Sequence, residues 1–372
     1  MAAVRVQLLD PPAYTPPYDF SLAAALARAG ADVELVTSDY LYGPTPTANG
    51  FRVRRDFYRR ATSRERSVRA RRALRVAEHV PDMLRHRHEG AADVVHYQWL
   101  TMEALDAFLL ARGAPRVFTA HNVLRRGEGR LRERATRLVA DRADALVVHT
   151  AVGARQLSER FGADPGRVHV IPHGAFDYLT RLPREQPLPA ELAAVEGPVI
   201  LWFGVLRPYK GVDVLLEAFR ELDGAELWVV GRPWLPLGPL RAAAATARAT
   251  VRFVDRFVTD PEIPAYFRRA DLVVLPYRRI DQSGVLYTAL AFGKAMVLSD
   301  VGGFSEVGRV HGAARLVPPE DPQALREALA ALVRDPAERE ALGARAAAAA
   351  AGHFSWDEIG RRTLALYREL VG

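Results

Sequence analysis

Cysteine is absent from this chain of 372 residues, which excludes both a disulfide framework and a thiolate metal site. Lysine is nearly absent, since Lys210 and Lys294 are the only two, and arginine is the usual cation. No run approaches about 18 uninterrupted apolar residues, so the sequence predicts no membrane-spanning helix. The first residues, MAAVRVQLLD, carry charges at Arg5 and Asp10. They indicate a β-strand rather than a signal peptide, and we expect a cytoplasmic protein.

Several catalytic motifs are also missing from the sequence. There is no G-x-x-x-x-G-K-[ST], which argues against a P-loop kinase or ATPase. There is no G-x-S-x-G and no H-E-x-x-H, which argues against the common serine hydrolases and zinc proteases. No D-x-D pair is present to ligate a metal beside a substrate. We therefore expect neither a metal nor a cofactor.

The arrangement of apolar runs predicts an α/β protein with two Rossmann-like domains. Apolar residues make up 49% of the chain and charged residues 26%, a balance typical of globular proteins. Short β-rich runs alternate with helical segments in both halves, which predicts parallel sheets covered by helices. The runs lie at 4–9, 32–37, 93–97, 116–120, 145–150 and 168–172, and again at 198–204, 226–231, 250–254, 271–277 and 295–300.

A proline-rich segment divides the two halves and predicts the domain boundaries. Residues 181–197 have the composition of a linker. We expect an N-terminal domain over 1–180, a C-terminal domain over 198–353, and a closing helix over 354–372. Ligands bind beyond the carboxyl ends of strands in such sheets, so residues that directly follow strands are the informative ones.

The net charge of +7 is unevenly distributed. Eleven arginines lie between Arg52 and Arg75, and a second basic run covers Arg125 to Arg137. Clustered arginine attracts polyanions such as nucleic acid or an anionic membrane surface. No helix-turn-helix, zinc-finger or RNA-binding pattern accompanies the charge. The pattern favours a solvated helix face, or peripheral contact with the inner face of a membrane through Arg52–Arg75, over a nucleic-acid partner.

Two segments of the second half predict a diphosphate site. Arg207 and Lys210 follow the strand at 198–204, beside a helix that begins near Gly211, where unsatisfied N–H groups attract anions. Ser283 and Gly284 stand at the predicted start of another helix, where backbone N–H groups can also hold a phosphate. The alternatives are a surface loop with two ordinary cations and a simple serine N-cap. Both segments follow strands of one sheet, which favours the phosphate interpretation.

The first half offers candidate substrate-binding residues after its strands. His121 and Asn122 directly follow the strand at 116–120, where they could bind substrate or position a reacting hydroxyl. The alternative is a histidine that serves the loop backbone. Weaker candidates for the acceptor side are aromatic and polar residues that suit a sugar but are also common in cores: Tyr18, Asp19, Gln98 and Trp99.

These segments together are similar to the retaining glycosyltransferases of family 4, which adopt the GT-B fold with two parallel sheets facing across a cleft. The matching stretches are TAHNVL (119–124), VHVIPHGAF (168–176), ILWFGVLRPYKGVDVLLEAF (200–219), LPYRRIDQSGVLYTALAFGKAMVLSDVGG (275–303) and FSWDEI (354–359). The resemblance implies a closing helix that returns to the N-terminal domain.

The resemblance also implies roles for individual residues. The donor diphosphate would lie on Arg207, Lys210 and the backbone at Ser283 and Gly284, while His121 would reach the reacting sugar. The remaining donor-side residues are Gly204 in the phosphate loop, Gly231 near the base, Asp281 and Gln282 at the sugar, and Thr288 at the ribose.

The chain departs from the family pattern at three places. Val205 occupies the position after the FG of the phosphate loop where the family usually has an arginine. Arg207, two residues later, would take the place of that arginine. Ile280 and Thr288 replace the usual paired glutamates. The N-terminal loop reads PPAYTPPYD instead of the usual Gly-Gly, which leaves the acceptor open.

The predicted function is transfer of a hexose-type sugar from a nucleotide diphosphate sugar to an acceptor hydroxyl, with retention of configuration. The acceptor would be a glycan, a lipid-linked molecule or a small molecule, as in cell-envelope or polysaccharide biosynthesis. The alternatives are a nucleotide-sugar epimerase, a sugar phosphorylase, or a non-catalytic GT-B subunit that binds or scaffolds.

Overall fold

Two parallel β-sheets organise the protein. The computed structural model describes residues 2–41, 43–62, 67–87, 92–123 and 129–372. The chain divides into a first unit, Met1–Gly174 with Ser355–Gly372, and a second unit, Ala175–Phe354. Each unit contains one sheet with helices, which confirms the predicted α/β class with two Rossmann-like domains. The predicted linker 181–197 belongs to the second unit.

The first unit is built on a seven-stranded sheet within the described residues. Its strands are β1 (Arg5–Asp10), β2 (Asp32–Thr37), β3 (Arg52–Arg55), β4 (Val94–Tyr97), β5 (Arg116–Thr119), β6 (Ala145–Val148) and β7 (Val168–Val170). Its first helices are α1 (Pro16–Arg28), α2 (Val68–Arg87), α3 (Glu103–Leu109), α4 (Arg130–Arg142) and α5 (Ala151–Phe161). The strand order is β3-β2-β1-β4-β5-β6-β7, and all the pairings are parallel.

The side chains of β1 pack into apolar clusters on both faces of the sheet. Val6 and Leu8 pack into the cluster that includes α1, while Leu9 joins the cluster on the other side with residues of α4 and α5. Successive side chains of a strand point to opposite faces, so the apolar residues of β1 contribute to the cores on both sides of the sheet.

The second unit is built on a six-stranded sheet. Its strands are β8 (Val199–Phe203), β9 (Glu226–Val230), β10 (Val251–Val254), β11 (Leu272–Leu275), β12 (Ala295–Ser299) and β13 (Arg315–Val317). Its helices are α6 (Ala190–Ala193), α7 (Val212–Phe219), α8 (Gly238–Ala244), α9 (Ile263–Arg269), α10 (Gly284–Ala291), α11 (Gly302–His311), α12 (Pro322–Arg334) and α13 (Pro336–Ala351). The order β10-β9-β8-β11-β12-β13 is again parallel throughout.

The last helix, α14 (Trp356–Val371), belongs to the first unit and packs along α1. Gly360 allows this close approach, because a Cβ there would lie 2.7 Å from the Ala25 carbonyl carbon. The Tyr367 hydroxyl also hydrogen-bonds Nδ1 of the buried His96, at 2.5 Å. The helix therefore completes the core of the first unit.

Part of each basic segment lies outside the described residues, namely 63–66 of the Arg52–Arg75 run and 125–128 of the Arg125–Arg137 run. The end of the first run forms the start of α2, where Arg69 and Arg72 are exposed. In the described part of the chain, no helix has the length and apolar character needed to cross a membrane.

Candidate active site

Both sheets have a switch point where the strand order reverses, and the candidate residues lie after the strands that flank it. In the second unit the reversal falls between β8 and β11. Arg207 and Lys210 follow β8, while Ser283 and Gly284 follow β11. In the first unit the reversal falls between β1 and β4, which precede the candidate acceptor-side segments. Loops at such points leave a crevice beyond the carboxyl ends of the strands.

Two glycines bring the loops after β8 and β9 into close contact. Gly204 and Gly231 have φ angles of 115° and 144°, in a region that favours glycine. A Cβ on Gly231 would lie 2.1 Å from the Gly204 carbonyl oxygen, so the two backbones can meet only without a side chain. A Cβ on Gly204 would lie 2.8 Å from the Lys210 Nζ. The glycines therefore leave room for the ammonium group beside the backbone.

Lys210 is a buried cation at this loop. Its side chain is only 8% exposed, and its Nζ lies 5.6 Å and 5.2 Å from the ring centres of Trp202 and Tyr277. Attraction to the two aromatic faces helps to offset the loss of water around the ammonium. The arrangement presents one localised positive charge against the Gly204 backbone.

Arg207 has different surroundings from Lys210. Its guanidinium carbon lies 4.0 Å from the ring centre of Trp234, an exposed aromatic residue in the loop after β9. Arg207 also lines a cavity of about 680 Å³. In this cavity Arg278 pairs with Asp213 at 2.7 Å and with Glu320 at 2.8 Å. The predicted cation pair thus shares one loop, while its two side chains contact different groups.

The start of α10 presents unsatisfied backbone donors. Leu286 and Tyr287 donate their N–H groups to the Ser283 carbonyl. The N–H groups of Gly284 and Val285 have no protein acceptor among the described residues. The Ser283 side chain, although at the N-cap position, makes no capping hydrogen bond. A Cβ on Gly204 would lie 3.2 Å from the Val285 side chain, so the start of α10 adjoins the loop that carries Lys210.

The other predicted donor-side residues lie around the same helix. Asp281 is buried and Gln282 half-buried, directly before the N-cap. Thr288 lies within α10, and its hydroxyl donates to the Gly284 carbonyl at 2.9 Å. A lysine ammonium and free N–H groups at a helix start can together bind and stabilise a phosphate anion.

In the first unit, the structure brings four predicted residues into one buried cluster. The His121 ring stacks on Trp99, with centroids 4.5 Å apart and planes 7° apart, and meets Tyr18 edge-on at 4.8 Å. Gln98 Oε1 lies 3.2 Å from His121 Nε2. The His121 side chain is 4% exposed, so protein groups surround the ring. Asn122, the next residue, is half-buried.

Asp19 lies in a buried acidic pair that the sequence did not reveal. Its carboxyl group shares a hydrogen bond with that of Asp10, the last residue of β1. Burial raises the pKa of Asp10 to about 6, and burial together with Asp10 raises the pKa of Asp19 well above its ordinary value. The Tyr14 N–H donates to Asp10 Oδ2 at 2.6 Å. Both shifts favour the protonated form of the two carboxyl groups.

Other residues near the candidate sites were missed by the sequence reasoning. His149 directly follows β6 and lies 3.0 Å from His121, and burial lowers its pKa to about 4. His149 lies inside the run predicted at 145–150, whereas the strand ends at Val148, so the rule for residues that follow strands did not select it. Trp234, which stacks on Arg207, carried a weaker signal as an aromatic residue between two prolines.

Clusters of three or more metal-binding side chains are not found in the described part of the chain.

Two family models match the chain. The model described as "Glycosyl transferase 4-like domain" matches residues 18–174, and "Glycosyl transferases group 1" matches residues 197–335. A D-inositol 3-phosphate glycosyltransferase from Xylanimonas cellulosilytica is 31% identical over 391 aligned positions, which cover 95% of this chain and 90% of that protein.

Solved structures resemble the chain over nearly its whole length. Sucrose-phosphate synthase from Thermosynechococcus elongatus has a TM-score of 0.75 at 20% identity, covering 99% of each chain. The Anabaena protein HepE, solved in complex with UDP-glucose, has a TM-score of 0.72 at 18% identity, covering 98% of this chain and all of that one.

Proposed function

This chain belongs to the family 4 glycosyltransferases, and we propose that it transfers a hexose-type sugar from a nucleotide diphosphate sugar to an acceptor hydroxyl, with retention of configuration. The family resemblance, the GT-B fold and the transferase class predicted from the sequence are confirmed by the family models, the relative and the solved structures. The single observation that carries the proposed site is the buried Lys210 ammonium beside Gly204 and the start of α10.

The proposed reaction uses this positive site to stabilise the leaving group. The bond between the sugar C1 and the diphosphate oxygen breaks, and negative charge develops on that oxygen. Lys210 and the N–H groups at Gly284 and Val285 stabilise the charge, and they do so more strongly in a buried site than in water. The acceptor oxygen forms the new bond to C1 on the same face. Its proton passes to the departing phosphate oxygen, so that neither a carboxylate base nor a metal ion is required.

We propose a UDP-sugar as the first donor to test, because HepE was solved with UDP-glucose. D-Inositol 3-phosphate is the first acceptor to test, since it is named for the relative that is 31% identical. The acidic pair Asp10–Asp19 and the cluster around His121 stand at the switch point of the first unit or beside it. We assign His121 to the reacting sugar and the acidic pair to the acceptor side. The other acceptor-side candidates are Tyr18, Gln98, Trp99 and Asn122.

Replacement of Lys210 by alanine tests the donor site. We expect turnover to fall at least about tenfold, because one charge-assisted contact to the leaving group is lost. A thermal-shift screen against UDP, GDP, ADP, dTDP and their sugar conjugates should show one nucleotide that raises the wild-type midpoint. That shift should be absent from the variant.

The matched control is Lys294→Ala. Lys294, the only other lysine, donates to the carbonyls of Arg268 and Ala270 before β11. This variant should lose stability but keep the nucleotide-dependent shift. Wild-type turnover in Lys210→Ala would contradict the assignment, and donor binding without transfer to any acceptor would favour a binding subunit.

We also propose that the chain contacts an anionic membrane at its cytoplasmic face through part of the Arg52–Arg75 segment. Arg52 and Arg54, in β3, pair with the carboxylates of Asp32 and Glu34. Arg69 and Arg72, at the start of α2, are exposed and have no carboxylate partner in the described residues. The neighbouring Val68 is 68% exposed. Exposed arginine beside exposed apolar side chains on one helix is typical of membrane-surface helices.

A further inference from the structure

Four neighbouring strands of the first unit contribute to one line of hydrogen-bonding groups. Gln98 follows β4, His121 follows β5, His149 follows β6 and Ile171 follows β7. His149 Nδ1 lies 3.0 Å from the Ile171 carbonyl oxygen, and His149 Nε2 lies 3.0 Å from His121 Nδ1. His121 Nε2 in turn lies 3.2 Å from Gln98 Oε1. The line therefore runs across the carboxyl edge of the sheet.

The position of each proton follows from the chemistry of the groups. A carbonyl oxygen can only accept, so His149 Nδ1 must carry a proton and donate to Ile171. His149 is buried, and burial disfavours its charged form. A neutral imidazole has one protonated nitrogen, so His149 Nε2 carries a lone pair. His121 Nδ1 must then be protonated and donate its hydrogen bond to His149 Nε2.

The orientation of Gln98 agrees with this assignment after one change. A neutral His121 with its proton on Nδ1 has a lone pair on Nε2, which would face the lone pairs of Gln98 Oε1. Gln98 Nε2 is buried and has no acceptor among the described residues. The oxygen and nitrogen of an amide group are nearly indistinguishable in a structure, so the Gln98 amide can be rotated by 180°. Its Nε2 then donates a hydrogen bond to His121 Nε2. If His121 were instead protonated on both nitrogens, Nδ1 would still donate to His149.

We propose that His149 is a positioning residue, which holds the His121 ring in place and keeps its Nδ1 protonated, so that His121 exchanges protons and accepts hydrogen bonds only at Nε2. This inference rests on the proposed function in one respect, because His121 is assigned there to the reacting sugar. In that role Nε2 accepts a hydrogen bond from a substrate hydroxyl or from the Gln98 amide. His149 acts only through His121, as partners of the second ring nitrogen commonly do for reactive histidines.

Nuclear magnetic resonance of the full chain tests the proton assignment directly. Long-range ¹H–¹⁵N correlation of protein labelled with ¹⁵N-histidine distinguishes protonated from unprotonated ring nitrogens. We expect His149 to be protonated at Nδ1 and not at Nε2, and His121 to be protonated at Nδ1. His121→Gln and His149→Gln variants assign the signals. A proton on His149 Nε2, or its absence from His121 Nδ1, would overturn the proposal.

Kinetics of two His149 variants test the consequence for transfer. Leucine removes the acceptor, and we expect kcat to fall about tenfold, as for the loss of one hydrogen bond, with little change in KM for the donor. Glutamine can place an oxygen near the former Nε2 position and should recover part of this loss. Equal losses in both variants, or wild-type kcat with leucine, would refute a positioning role. If the chain showed no transfer at all, the proposed function would fail, while the spectrum would still decide the proton positions.

Discussion

Replacement of Gly231 by alanine should damage both the stability of the second unit and its affinity for nucleotide. At a φ of 144° a residue with a side chain costs roughly 1–3 kcal/mol. The new Cβ would also lie 2.1 Å from the Gly204 carbonyl oxygen, so the backbone at Gly204 has to move. We expect a total loss of at least about 3 kcal/mol, which lowers the unfolding midpoint of a domain of this size by roughly 6–12 °C.

The matched control for Gly231→Ala is Gly224→Ala in the same unit. Gly224 also has a positive φ, 80°, but its Cβ would meet only the Val333 side chain, at an ordinary 3.7 Å. This variant should therefore lose only the conformational part, about 1 kcal/mol. Calorimetry with and without the nucleotide that stabilises the wild type measures both effects. Gly231→Ala should bind that nucleotide more weakly, because Lys210 lies against the displaced Gly204. Equal midpoints in the two variants, or wild-type affinity in Gly231→Ala, would refute the reasoning.

Two further predictions concern the first unit. Folding raises the pKa of both Asp10 and Asp19, so the pair favours the folded state at low pH and loses this contribution as the pH rises through about 6 and above. Asp19→Asn imitates the protonated carboxyl, and urea unfolding between pH 5 and pH 8 should therefore show a smaller loss of stability than in the wild type. Replacing Arg69 and Arg72 by glutamine should weaken sedimentation with vesicles rich in phosphatidylserine about 30-fold, at about 1 kcal/mol per arginine.

The control for the vesicle experiment removes the same charge from the second unit. Arg220→Gln with Arg248→Gln changes two exposed arginines there and should leave vesicle binding unchanged. Equal weakening in both double variants would mean that net charge rather than α2 governs binding. For Asp19→Asn, an unfolding free energy with the pH dependence of the wild type would show that Asp19 takes up no proton on folding.

Features that depend on a single segment could be predicted from the sequence. The apolar runs that end at Gly204 and Gly231 predicted the strands β8 and β9. Because ligands bind beyond the carboxyl ends of strands, Lys210 and Ser283 could be identified as candidate phosphate-binding residues. The approach of Gly204 to Gly231 could not be predicted, because it arises from the pairing of β8 with β9, and the two glycines are far apart in the sequence.

Features that depend on tertiary contacts were missed. The helix α2 is rich in arginine and contains Pro81, which removes a backbone donor from the helix interior. One face of α2 is buried by residues from other segments. For example, the Tyr58 hydroxyl lies 2.6 Å from Nδ1 of His79, a buried residue of α2. The contact between His149 and His121 likewise depends on tertiary structure. The two residues follow β6 and β5, and they meet because these strands are neighbours in the sheet.

The position of α14 has a consequence for the order of events during synthesis. The second unit, Ala175–Phe354, is continuous and can fold once it has left the ribosome. The first unit lacks α14 until residues 355–372 have emerged, although almost all its other residues are made first. Until then the α1 surface around Ala25, against which Gly360 packs, stays uncovered. A released chain that ends at Phe354 should therefore carry a folded second unit and an incomplete, chaperone-accessible first one, the reverse of the usual N-terminal-first order.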